Sequence, residues 1–139
     1  MSAPLLLDTH ALVWLMEGIS LLAPGARRLA EQTAERGKLF VSAISIWEIA
    51  TLESKGRLVL STDCQTWVNE MLATPGLQLV PLSPEIAVQS TRLPNGIHGD
   101  PADRILIATA RMLHATLLTA DTKILAYAKA GHLSVFRAK

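Results

Sequence analysis

The chain has 139 residues, half of them apolar and 18% charged, with 13 Lys and Arg against 12 Asp and Glu and a single cysteine. That length is one ordinary domain with room for a sizeable core, and the balance of apolar to charged residues excludes a disordered polymer. Cys64 alone can form neither an internal disulfide nor a thiolate metal site, so it is expected to be a reduced structural thiol.

In chain order, Pro4 to Asp8 reads as a strand, Thr9 to Met16 as a helix, and Pro24 to Arg36 as a second helix ended by Gly37. Lys38 to Ser42 is the next strand, and Ile44 to Lys55 a helix stopped by Gly56. Asp63 to Ala73 suits a helix, Leu77 to Pro81 a strand and Pro84 to Leu93 a helix, before Pro94, Asn95 and Gly96 open a loop. The strongest helix signal runs from Asp100 to His114, with Ile105, Ala108, Met112 and Leu113 at helical spacing. Thr116 to Thr119 is a strand, Asp121 to Lys129 a short helix and Leu133 to Phe136 a last strand. Strands separated by helices predict a single α/β domain over 1–139, with a mainly parallel sheet and helices on both faces.

The apolar run from Leu5 to Met16 is broken by Asp8 and His10 and is too short to span a bilayer. No basic residue precedes it, as a secretory signal would require, so a cytoplasmic protein without membrane contact is expected.

In such sheets, sites form beyond the carboxyl ends of the strands. Four acids lie near strand-to-helix junctions: Asp8 after Leu5, Leu6 and Leu7, Glu48 among Ile46, Trp47, Ile49 and Ala50, Asp103 one turn into the strongest helix, and Asp121 after Leu117, Leu118 and Thr119. Each has a simpler explanation, because helix starts favour carboxylates. Asp8 and Asp121 can cap helices, Ser45 and Glu48 have capping-box spacing, and Asp100 can be an N-cap that leaves Asp103 facing the positive end of the dipole. Four acids gathered at one end of a sheet, however, would repel one another unless cations neutralised them. Carboxylate oxygens without a thiolate or histidine cluster suit Mg²⁺ or Mn²⁺, and such ions recruit phosphates and activate water for phosphodiester hydrolysis. With those four set aside, 13 basic groups face 8 acidic ones, a surplus that favours a polyanionic partner.

His10, His98, His114 and His132 are scattered without the i, i+4 spacing of a helical zinc site. His114 and His132 are expected in surface or turn positions, while His10, His98 and Arg104 lie close enough to the acids to touch a phosphate as well as to serve structurally. Trp14, Trp47 and Trp67 fall in helical patterns that suit core or interface.

Four segments, LLLDTHALVWL, VSAISIWEIATLESKGRL, HGDPADRILIATA and LLTADTKI, together resemble PIN-domain proteins, in particular the VapC-like toxins of bacterial toxin-antitoxin pairs; the resemblance runs from near residue 5 to residue 136. It implies a PIN-type α/β fold and a Mg²⁺- or Mn²⁺-dependent ribonuclease in which Asp8, Glu48 and Asp103 are the core ligands and Asp121 is an auxiliary acid. It further implies an RNA substrate, a homodimer and a cognate antitoxin that covers the cleft with a basic residue. Asp100 matches the family's HxDPxDR stretch, whereas Ala102 stands where an aromatic is usual, which touches packing beside the cleft.

Two other readings remain open. Asp8 could be the nucleophile of a haloacid-dehalogenase-type phosphatase, but that class has a second aspartate two residues on, where this chain has His10. A PIN-like scaffold that binds RNA or protein without cutting is the other.

Overall fold

The computed structural model describes residues 3–97 and 99–139, so His98 lies outside the described residues. Five strands form one sheet: β1 (Leu5–Leu7), β2 (Leu39–Ser42), β3 (Leu77–Val80), β4 (Thr116–Thr119) and β5 (Ser134–Arg137). Their order is β3-β2-β1-β4-β5, and every adjacent pair is parallel. Helices α1 (Thr9–Glu17) and α2 (Pro24–Glu35) link β1 to β2, and α3 (Ala43–Ser54) and α4 (Cys64–Leu72) link β2 to β3. The chain then returns through α5 (Pro84–Gln89) and α6 (Pro101–Leu113) to the other side of β1, and α7 (Thr122–Ala128) joins β4 to β5. The winding therefore reverses between β1 and β4, the place where open α/β sheets leave a crevice.

A strand covered on both faces must be apolar throughout, and β1 is Leu-Leu-Leu with all three side chains at most 2% exposed. Leu5 and Leu7 belong to one cluster with Leu12 of α1, Ala26 and Ala30 of α2, and Trp67 and Met71 of α4. Leu6, on the opposite face, meets Leu106, Ile107 and Ala110 of α6 and Ile124 of α7. Burying each leucine is worth about 1.5–3 kcal/mol, so this strand alone anchors both layers. No helix among the described residues is long and apolar enough to cross a membrane.

Element boundaries follow the sequence reading closely, with three physical corrections. Helix α5 stops at Gln89 rather than Leu93, because Ser90 and Thr91 donate their hydroxyls to the carbonyls of Ala87 and Val88 at 2.6 and 2.7 Å, and Pro94 disfavours helical backbone at Leu93. Strand β5 begins at Ser134, which pairs with Thr116, while Leu133 drops into the core before it. On α6 the buried residues are Ala102, Leu106, Ile107, Ala108, Thr109 and Ala110; Ile105 and Leu113 pack against the cluster that holds Ala108, as their spacing implies, whereas Met112 is exposed.

Gly76 sets the approach of β3 to α2. Its φ is +83°, and a Cβ there would lie 1.8 Å from the carbonyl oxygen of Ala34. Gly37 has a similar φ of +70° but open space around it. Gly76→Ala is therefore expected to cost at least ~3 kcal/mol, strain plus backbone collision, against ~1 kcal/mol for Gly37→Ala. Denaturant unfolding of the two variants checks the order; equal losses would mean that the Gly76 contact relaxes freely.

Candidate active site

The acids lie where the four junctions converge. Asp8 follows β1 directly, and its backbone amide donates to Leu118 of β4 at 3.0 Å, which pins it across the switch point. Although it holds the N-cap position of α1, its side chain makes no capping bond. The carboxylate instead accepts a hydrogen bond from the Thr119 hydroxyl at the end of β4, and is 6% exposed. Thr119 Oγ1 in turn accepts from the Asp121 amide at 3.0 Å, so one hydroxyl organises both acids of the β1–β4 crevice.

Glu48 is held from the other side. Thr9 Oγ1 lies 2.5 Å from Glu48 Oε1 and 2.9 Å from Ser45 Oγ. The threonine hydroxyl has one proton and an ionised carboxylate can only accept, so Thr9 donates to Glu48 while the Ser45 hydroxyl can donate to Thr9. The capping-box reading of Ser45 and Glu48 is therefore overturned. Ser42 is the N-cap of α3, accepting from the Ile44 amide at 3.1 Å, and Ser45 is buried inside the helix facing α1.

For Asp100 and Asp121 the capping explanation holds. Asp100 Oδ1 accepts from the Ala102 amide at 2.9 Å, and Asp121 Oδ1 accepts from Lys123 and Ile124 at 2.8 and 3.1 Å. Asp103, in the first turn of α6, is not that helix's cap.

Electrostatics ties the five carboxylates together. Burial pushes Asp103 up to about 7, and the largest charges acting on it are Asp121, Asp100, Asp8 and Glu48, all negative. Burial also raises Asp8, opposed by Thr119 and His10 and reinforced by Asp121. Glu48 is raised by burial, then by Asp100 and Asp8, against the hydrogen bond from Thr9. Among the described residues, no three acids, histidines or cysteines yet stand as a formed metal-binding group. Thr119 and Thr9 hold Asp8 and Glu48 by hydrogen bonds, and Asp121 faces its own helix amides. The chemistry of the donor set still fits a hard divalent cation: mutually repelling carboxylate oxygens, with Asp103 pushed up by burial and then by the negative charges around it.

His10 is exposed, its ring centroid 6.3 Å from that of Trp14, and both line a cleft of about 220 Å³ with Asp8, Asp121 and Lys139. Arg104 is half-buried beside Asp103. His114 is an exposed left-handed C-cap of α6, and His132 offers its carbonyl to Arg111; neither touches the acids. Trp67 is core, Trp14 half-buried, and Trp47 is 61% exposed. Thr9 and Ser45 were not expected to orient an acid. Ser45 has only the capping-box spacing to Glu48 as a sequence signal, and Thr9, 39 residues from Glu48, has none.

The parallel sheet with helices on both faces and acids beyond the carboxyl ends of its strands defines the class as an open α/β domain. The PIN domain family model matches residues 5–130, and the chain belongs to that family. Ribonuclease VapC22 of Mycobacterium tuberculosis is 31% identical over 119 residues, covering 86% of this chain and 88% of that protein. Among solved structures, VapBC2 from Rickettsia felis bound to a promoter DNA fragment superposes with a TM-score of 0.72 at 16% identity, covering 97% of this chain and 98% of that one. VapBC-5 of Mycobacterium tuberculosis, from the VapBC family of toxin-antitoxin systems, gives 0.61 at 16% identity over 99% of each chain. At those identities the likeness is one of fold.

Because the folded pKa of Asp103 lies above that of an unfolded aspartate near ~3.9, the metal-free native state binds the extra proton. Its stabilising contribution is full below the unfolded value and is lost as pH rises through about 7. In EDTA, thermal stability should thus fall between pH 4 and 7, and Asp103→Asn should flatten that slope. An unchanged slope in the variant would remove Asp103 as its source.

Proposed function

We propose that this chain is a divalent-metal-dependent endoribonuclease, the toxin of a toxin-antitoxin pair acting in the cytoplasm. The observation that carries the reading is that Asp8 at the end of β1, Glu48 on α3 and Asp103 on α6 lie within one another's field, with Asp8 and Glu48 aimed by buried hydroxyls rather than by helix caps. RNA as substrate is supported by membership of the PIN family and by the relative named as a ribonuclease.

Asp8, Glu48 and Asp103 would hold Mg²⁺ or Mn²⁺. Asp121 is an auxiliary ligand, since one of its oxygens is committed to the cap of α7. The bound ion supplies Lewis acidity toward a phosphodiester oxygen and a lowered pKa for attacking water. Thr119 orients Asp8, and Thr9, backed by Ser45, orients Glu48. His10 stands at the edge of the same cleft and is placed to donate to a phosphate oxygen.

The partner reading is a cognate antitoxin that lays a basic residue against the acids, supported by the VapBC toxin-antitoxin complexes that share the fold. A homodimer is also proposed, with exposed apolar side chains such as Val88 on α5 and Met112 on α6 offering surface for a second copy.

Protein freed of its antitoxin should cleave single-stranded RNA with Mg²⁺ or Mn²⁺ and lose cleavage in EDTA. Asp8→Asn or Asp103→Asn should reduce the rate by at least ~10²-fold with an unchanged circular dichroism spectrum, and Asp121→Asn by less. Full activity in either of the first two variants sinks the reading; phosphomonoester hydrolysis lost in Asp8→Asn would transfer the protein to the aspartyl-phosphatase class.

A further inference from the structure

Beside the acid crevice the surface opens into a cavity of about 440 Å³ with almost entirely apolar walls. Ile44 and Trp47 of α3 form one side, Leu82 beyond β3 another, and Asp100, Pro101 and Ala102 at the start of α6 the third. Trp47 is 61% exposed and Leu82 46%, so an indole and an aliphatic side chain are presented to solvent at the mouth. An apolar surface of this kind on a folded domain marks a binding site.

Its position decides what it binds. Trp47 immediately precedes Glu48, and Asp100 stands three residues before Asp103, so the two elements that carry those acids also wall the cavity. Asp100, which lines the cavity, is close enough to Glu48 and Asp103 for its charge to act on both, so a polymer laid against those acids can pass this opening. The apolar walls suit a flat, weakly polar ring, with the Trp47 indole and the Pro101 ring among the lining side chains that could stack on it. Asp100, at the rim, uses Oδ1 to cap α6, and its negative charge matches the amino and imino N–H groups of a base edge while repelling a phosphate.

We propose that this cavity is a nucleobase pocket, in which the base adjoining the cleaved phosphodiester is unstacked from its strand and held against Trp47. The proposal rests on the ribonuclease reading and extends it to substrate selection: the bond cut would be chosen by the base that enters the pocket, with Asp100 favouring bases that present N–H donors. Single-stranded or looped RNA is the form in which a base can be turned out this way.

The pocket is read directly by NMR of the Trp47 indole N–H, assigned through its loss in Trp47→Phe. Titration with AMP, GMP, CMP and UMP should shift that resonance, and ribose 5-phosphate, which lacks the base, should not. In cleavage of RNA oligonucleotides, Trp47→Ala should raise KM by roughly ten- to a hundred-fold, the loss of one stacked base, and flatten the base preference at one position next to the cut. Trp47→Phe should retain the preference.

An indole that no nucleotide moves, or a Trp47→Ala enzyme with unaltered KM and preference, overturns the pocket and leaves the ribonuclease reading standing. Nucleotide-dependent shifts in a protein that cuts no RNA keep the pocket and overturn the ribonuclease. An indole that responds to protein concentration rather than to nucleotide, with altered sedimentation of Trp47→Ala, assigns the surface to a second copy and overturns the proposal.

Discussion

Asp8 is a carboxylate attached to the most deeply buried strand of the molecule, and the arrangement around it follows from the cost of keeping it there. The three leucines before it are fully enclosed, so its backbone cannot move outward without uncovering both layers of the core. A buried carboxylate without a donor costs several kcal/mol. Thr119 meets that cost by hydrogen bonding from the neighbouring strand, and parallel pairing of Leu7 with Leu118 is what places Thr119 beside Asp8. Register in the sheet thus fixes a side-chain contact in the cleft. A one-residue slip of β4 would turn Thr119 to the opposite face and leave Asp8 unpartnered. The same device recurs at Glu48, where Thr9 donates from the first turn of α1 into α3.

This dependence explains which parts could be read from the chain alone. Alternating strand and helix patterns with Gly37 and Gly56 as stops brought out the layers and most boundaries, because those signals are local. Of the apolar residues at helical spacing on α6, Ala108 is buried and Ile105 and Leu113 pack against its cluster, while Met112 is apolar yet exposed, and only tertiary packing distinguishes it from Leu106. Helix α5 was overextended because Ser90 and Thr91 bond back to their own helix, which a periodicity count does not register.

At the site, the acids stand at the four expected junctions, but the roles of their neighbours were not legible. Ser45 and Glu48 have the spacing of a capping box, and the structure uses both against Thr9, 36 and 39 residues away in sequence. Spacing cannot separate the two uses, since a helix whose cap lies three residues earlier, at Ser42, moves Ser45 from cap to interior. Capping accounts for Asp100 and Asp121 without any function. It does not account for Asp8, Glu48 and Asp103, and these are the acids pushed upward in pKa.

Such a cleft is a local liability in a fold that is otherwise consistent at every level, and conflicts of that kind concentrate at functional sites. Burial and like charge both disfavour ionised Asp103, so a cation bound beside it would favour release of its proton. A basic side chain from a protein partner can relieve the same repulsion without performing chemistry. On the proposed function one electrostatic defect would serve two ligands, a divalent ion that would make the cleft active and a partner's cation that would silence it, and the two would compete because they would neutralise the same carboxylates. The apolar cavity beside it carries no such charge frustration, apart from Asp100 at its rim. Binding there is decided by shape and stacking, so substrate choice can vary through the cavity walls while the acids, bound to the register of β1 and β4, stay as they are.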